Sequence, residues 1–139
     1  MIRGYTDVDY DQVKALYEQT QLFGGQFDEN RDSRDRLRVQ STADAESILV
    51  SEVDNKIVGT ISLIVDQRVA WLFRFAVVQG EHEAEVTKEL YDRAVTTLKA
   101  RGHNQVLVYS PVEDPPLDAR YATLGFSKGT DFTCFWRDI

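Results

Sequence analysis

The chain has 139 residues, 42% hydrophobic and 28% charged, enough apolar surface for one globular core and too much for a disordered chain. Lys and Arg number 16 against 23 Asp and Glu, a formal net charge of -7, which repels phosphate backbones and anionic lipid and argues against nucleic acid and membrane surfaces as partners. A single cysteine, Cys134, and two histidines, His82 and His103, exclude an intrachain disulfide and a cysteine-based zinc cage and argue against a histidine-rich metal site, so no metal is expected.

The N-terminal residues MIRGYTDVDYDQ carry acids within the first ten positions and lack the apolar core of a secretory signal. The longest unbroken apolar run, residues 69–73, falls far short of a membrane span. A cytoplasmic protein is the expectation. No Pro/Gly/Ser-rich linker, repeat or low-complexity tract interrupts the chain, so residues 1–139 read as a single domain.

Residues 2–5 are a short strand candidate. Thr6 and Asp7 offer side-chain acceptors to the exposed amides of a helix over roughly 8–22, on which Val13, Leu16 and Tyr17 make one apolar stripe. Phe23-Gly24-Gly25-Gln26-Phe27 breaks that helix, and a second, more polar one starts at the cap Ser33 and runs through Leu37 and Val39. Three strands follow, at 47–53, 56–66 and 69–78. Asp54-Asn55 joins the first two, and such a pair suits the left-handed conformation of a tight hairpin. The third is apolar on both faces apart from Arg74, as a central strand covered on two sides should be.

The segment 83–101 is the clearest helix. Val86, Leu90, Ala94 and Leu98 recur every four residues, with Val95 widening the stripe. Glu81, Glu83 and Glu85 favour the positive end of its dipole, Lys99 and Arg101 the negative end, and Gly102 supplies the stop. Residues 105–110 are a strand, 118–124 a short helix ended by Gly125, and 131–136 (DFTCFW) an aromatic last strand. The order β-α-α-β-β-β-α-β-α-β makes 69–78 and 105–110 parallel neighbours across the long helix. The fold class is therefore α/β: a mixed, mostly antiparallel sheet with helices on both faces. Phe132, Phe135 and Trp136 are expected to pack in the core with Trp71, and Cys134 to be an inert core thiol. The last strand is either internal or an edge at which a second copy pairs to form a homodimer.

A guanidinium on a central strand should not be buried without a partner. Two readings of Arg74 stay open: it faces a pocket and binds an anionic group bidentately, or it pairs internally with an acid of a neighbouring element.

The order of elements, together with KIVGTISL (56–63), FAVV (75–78) and RYATLGF (120–126), resembles the GNAT superfamily of acyl-CoA N-acyltransferases. The resemblance covers nearly the whole chain. It implies acetyl-CoA or another acyl-CoA as co-substrate and transfer of the acyl group to the amine of a small molecule. In that family the loop after the fourth strand reads approximately Arg/Gln-x-x-Gly-x-Gly/Ala, and its amides hold the cofactor pyrophosphate. The corresponding positions here are Val77, Val78, Gly80, Glu81, His82, Glu83, Ala84 and Glu85. Aligned on FAV, the two loop glycines become Glu83 and Glu85 and the arginine becomes His82. A carboxylate about 6 Å from a phosphate charge costs ~3 kcal/mol at an effective dielectric near 20. Lys88 and Arg93 on the same helix are placed to offset part of that. The loop reads as a degenerate pyrophosphate grip, its glutamates either simple helix caps or obstacles to the cofactor.

Tyr121 stands where the family has its usual general acid for the leaving thiolate, a role that suits a phenol. The strand 69–78 has no glutamate to serve as base. Glu113 and Asp114 are the nearest carboxylates in that frame, Asp114 seven residues before the tyrosine, where the family often has asparagine. Phe23, Gly24, Gly25 and Gln26 occupy the region that commonly shapes the acceptor site. Two functions stay open: an N-acyltransferase, or a GNAT-fold protein that has lost acyl-CoA binding and serves as a non-catalytic small-ligand or protein-binding module. The partner is accordingly a small amine or an anionic small ligand.

Overall fold

The computed structural model describes residues 1–19 and 27–139, in two units, 1–109 and 110–139. The expected Phe23–Gln26 acceptor segment lies outside the described residues. The first unit is built on a five-stranded sheet in the order β1 (Ile2–Gly4), β2 (Ile48–Val53), β3 (Lys56–Val65), β4 (Ala70–Val77) and β5 (Leu107–Val108). All neighbours are antiparallel except β4 and β5, which are parallel. This is the mixed α/β arrangement the sequence implied. The helices of this unit are α1 (Tyr10–Gln19), α2 (Glu29–Asp32), α3 (Arg34–Ala43) and α4 (Glu83–Ala100). The second unit holds α5 (Pro115–Thr123). Among the described residues no helix is long and apolar enough to cross a membrane.

Register assigns the two faces of the sheet. Val50 lies opposite Thr60, and Thr60 opposite Ala76. Val50 and Ala76 belong to one core with Val13, Leu16 and Tyr17 of α1 and Leu37 of α3. One residue along, Ser51, Gly59 and Val77 are aligned and point to the opposite face. There α4 buries Val86, Leu90, Ala94 and Leu98. A β-carbon at Gly59 would stand 2.8 Å from Leu90 and 2.9 Å from Val86. Glycine at this position is what lets α4 lie so close to β3. Both faces are thus covered by the stripes that periodicity identifies.

The β2–β3 hairpin turns on Asp54 and Asn55 at φ 49° and 60°, as the Asx pair suggests. Ser33 caps α3, accepting from the Arg36 amide at 3.4 Å. The start of α1 differs from expectation. A 3-10 turn, Asp7–Asp9, precedes it, and the capping acceptor is Asp9, which takes hydrogen bonds from the Thr6 amide (2.8 Å) and hydroxyl (3.0 Å). Arg3 donates to both oxygens of that carboxylate, each at 2.8 Å.

Three further differences lie toward the C-terminus. The strand at 105–110 contracts to Leu107–Val108. The helix expected from 118 starts three residues earlier, with Pro115 and Pro116 opening α5, because the first turn of a helix needs no intrahelical amide donor. Residues 131–136 form no strand, and Phe132, Phe135, Trp136 and Cys134 are exposed instead of core. Within its own unit this segment has no neighbouring strand to pair its backbone and cover its rings, so alternation alone does not bury it. Trp71 is half-buried and stacks on Tyr109, with ring centroids 4.6 Å apart.

Candidate active site

The most distorted point of the sheet is in the middle of β4. Ser62 pairs with Phe73 and Thr60 with Ala76, so Arg74 and Phe75 together lie opposite Ile61. This two-for-one count is a β-bulge. Arg74 sits there with φ 49°, a left-handed conformation that is costly for a residue with a side chain. The ladder between β4 and β5 covers only Trp71↔Leu107 and Leu72↔Val108, and it ends just before the bulge.

The bulge turns the Arg74 side chain toward α1 and α2. Its Nε donates to Asp32 Oδ1 at 3.0 Å and its Nη2 to Asp32 Oδ2 at 2.6 Å, with both side chains almost fully buried. The guanidinium also lies 5.6 Å from the Tyr17 ring centroid and 5.0 Å from that of Phe73. Asp32 Oδ2 further accepts the Asp28 amide at 2.9 Å. The Tyr17 phenol is pushed up to about 12 by burial, against the pull of the neighbouring Ser62 hydroxyl and despite Arg74. A buried polar cluster therefore underlies the bulge. Of the two readings of Arg74, the structure displays the internal pair, and it names the acid.

Beyond β4 the chain enters α4 through residues 78–82. The Val78 amide donates to Val58 at 2.8 Å, and Gly80 turns the chain at φ 149°. Glu83 donates its amide to Gly80 and Val86 to His82, whereas the amides of His82, Ala84 and Glu85 have no backbone acceptor among the described residues. Such amides at the start of an 18-residue helix form an anion-binding end. Val77 is buried and offers this region only its backbone. Val78, Gly80, Glu81, His82, Ala84 and Glu85 are exposed and Glu83 is half-buried. The acids meet little positive charge: His82 Nδ1 is 3.7 Å from Glu85, but Lys88 pairs with Asp92 and Arg93 with Glu46. The two cations placed to offset the glutamates are thus engaged elsewhere.

In the second unit, the RYATLGF phrase has a geometric reason. Gly125 follows α5 at φ 89°. The Gly125 amide donates to Ala122 at 3.0 Å, and the Phe126 amide reaches back to Tyr121 at 3.0 Å. This is a Schellman stop, which needs glycine at the left-handed position and an apolar contact between the residues it ties. The Tyr121 and Phe126 rings make that contact edge to face, 5.6 Å apart. Burial, with a smaller contribution from Asp114, raises the Tyr121 phenol above its ordinary range. Asp114 is the N-cap of α5, accepting the Leu117 amide at 3.1 Å. Its carboxylate is engaged in starting the helix that carries Tyr121.

Residues 10–126 match the acetyltransferase (GNAT) family. The chain belongs to that family. Solved GNAT structures share the fold at low identity. A PaiA N-acetyltransferase from Thermoplasma acidophilum, in complex with coenzyme A, is 19% identical with a TM-score of 0.78, over 94% of this chain and 92% of that one. A ribosomal-protein-alanine N-acetyltransferase from Brucella melitensis is 17% identical with a TM-score of 0.73, over 94% and 86%. An aminoglycoside 6'-N-acetyltransferase from Acinetobacter haemolyticus is 15% identical with a TM-score of 0.74, over 100% and 99%. No protein of curated function matches the chain in sequence.

Within this GNAT frame the sequence located the loop after β4 and the tyrosine of α5. It did not locate Asp32, or the Tyr17 phenol with the Thr60 and Ser62 hydroxyls beside it. Asp32 sits in a charge-rich stretch, 28–38, that reads as solvated surface. The one signal was Arg74 itself, which required an acid without saying which.

Proposed function

We propose that this GNAT protein is an acyl-CoA-dependent N-acetyltransferase for a small cationic amine. The observation that carries the reading is the conjunction along β4 and just after it: a ladder to β5 only two residues long, a bulge, and a helix N-terminus with unengaged amides. Where the short β4–β5 ladder stops, an extended, amide-containing chain such as pantetheine would lie along β4 as a strand does. The α4 amides are placed to take its pyrophosphate. Residues Val77, Val78 and 80–85 form the cofactor side in this reading, with Glu83 and Glu85 weakening the grip.

Chemistry follows from what aminolysis of a thioester needs. The amine must attack as the free base, the carbonyl must be polarised, and the thiolate must leave protonated. In this reading the acyl carbonyl lies over the β4 bulge, and Tyr121, its proton held by burial, donates to the sulfur. No carboxylate is assigned as base, since Asp114 is engaged as a helix cap and the deprotonated fraction of the amine reacts through solvent. The net charge of -7 favours a cationic acceptor over an anionic one.

Titration calorimetry with acetyl-CoA and with CoA at moderate salt tests the first half of the reading. Thiol release with a panel of an aminoglycoside, a linear polyamine and a peptide beginning with alanine tests the second. Micromolar cofactor binding with turnover of at least one amine is expected. No heat at millimolar cofactor overturns the enzyme reading. That outcome favours the other reading, a GNAT-fold binding module, which the uncompensated Glu83 and Glu85 support.

A further inference from the structure

We propose that Arg74 is a positioning residue: it holds the last turn of α1 and the whole of α2 against the β4 bulge, and so fixes the acceptor side of the cleft. The inference rests on the acyl-transfer reading above and adds to it which residues set acceptor geometry. Three observations carry it. Arg74 occupies a strained conformation at φ 49°, and such strain persists only where the surroundings over-determine it, most often beside ligand sites. Its guanidinium engages both helices at once, Tyr17 of α1 through the ring face and Asp32 of α2 through two hydrogen bonds. Asp32 in turn accepts the Asp28 amide at the entry to α2, so one carboxylate ties both ends of that short helix to β4.

A side chain that only filled the core would need neither the bulge nor the fork. The planar fork fixes direction as well as distance, because two parallel N–H···O bonds allow one orientation of the carboxylate plane. The α1 and α2 ends are therefore held at a set height above the bulge, where the acyl carbonyl lies in the proposed reaction. Because Asp32 already meets the Arg74 charge, Arg74 acts on the acceptor through these helices and not as a ligand for an anion.

The test compares wild type with Asp32→Asn, Arg74→Lys and the double variant Asp32→Asn/Arg74→Lys. The probes are acetyl-CoA and whichever panel amine wild type turns over fastest. The expected pattern is a KM for the amine raised about tenfold or more, with kcat and the acetyl-CoA Kd each within about threefold of wild type. Arg74→Lys, which keeps the charge but loses the fork, should fail to rescue. The double variant should be no worse than the worse single one, as for two residues acting as a unit. Amide hydrogen exchange at residues 30–33 should quicken about tenfold in each variant while the β2 and β3 amides stay protected.

A fall in kcat at unchanged KM, or unaltered exchange at 30–33, overturns the proposal. If Asp32→Asn unfolds the protein, Arg74→Lys decides by the same readouts. Absence of turnover in wild type overturns the acyl-transfer reading and the acceptor part of this one, while exchange still decides whether Arg74 tethers α2.

Discussion

Asp32 and Arg74 form a two-pronged ion pair, at 3.0 and 2.6 Å, whose side chains are 2% and 1% exposed. They come from a four-residue helix and a bulged strand that are 42 residues apart in the chain. Removing one partner leaves a charge buried without its counter-ion, whereas removing both leaves only a packing defect. Asp32→Ala should therefore destabilise the protein by about 3–5 kcal/mol, and Asp32→Leu with Arg74→Met by clearly less. Urea unfolding midpoints at neutral pH check this. Equal losses in the single and double variants would show that the charges are not what the pair contributes.

The acids at the start of α4 give a second prediction. Glu83→Gln and Glu85→Gln each remove a negative charge beside amides otherwise suited to an anion. At about 6 Å with water-like screening, each neutralisation should tighten acetyl-CoA binding by about threefold. The gain should shrink as salt rises, since exposed charges are screened within about 10 Å at 0.1 M. Calorimetry at two salt concentrations measures both effects. No gain from either isosteric change would mean that the bulk of the glutamates, and not their charge, limits binding.

The hairpin, the α4 stripe and the strand-helix-strand crossover were legible because each rests on short-range rules. Asp54-Asn55 accepts positive φ, Val86 to Leu98 repeat with the helical period, and one long helix between two strands makes them parallel. Arg74 shows where such rules stop. Its identity revealed that something must answer the charge, but the bulge has no glycine to mark it, and its partner is distant in the chain and hidden among charges that look solvated. The DFTCFW segment fails for the converse reason. Alternation describes a strand that has neighbours, and the 110–139 unit supplies none. Tyr121 was located by its spacing from Gly125 and Phe126, and the Schellman geometry explains that spacing physically.

Tyr121 yields the third prediction, on the acyl-transfer reading. Tyr121→Phe keeps the edge contact with Phe126 and the helix stop, and removes only the proton. kcat should fall by about a hundredfold with little change in KM for either substrate, the usual size for loss of a general acid. Because burial raises this phenol, the wild-type rate should show no fall from phenol ionisation up to about pH 10, the ordinary range of a free tyrosine. A pH–rate profile of both proteins checks this. A wild-type profile that declines near pH 8 would assign the acid to another group.

Tyr17 gives the last prediction, on stability at high pH. Its phenol is buried between α1 and the sheet and pushed up to about 12 from an unfolded value of 10.0. Tyr5 is raised as well, chiefly by burial and then by Asp7. Above pH 10 the unfolded chain gives up these protons while the folded chain keeps them. The unfolded state then binds fewer protons, so stability falls as pH rises. For Tyr17 alone the slope is about 1.4 kcal/mol per pH unit, fully developed between roughly pH 10 and pH 12. Below pH 10 neither state ionises and the contribution is flat. Tyr17→Phe should therefore lower stability modestly at pH 7 through its lost hydroxyl contacts, yet flatten the alkaline decline. Urea midpoints of the two proteins should converge as the pH is raised from 9 to 11.5. Parallel curves over that range would mean that Tyr17 ionises in the folded protein as readily as in the unfolded chain.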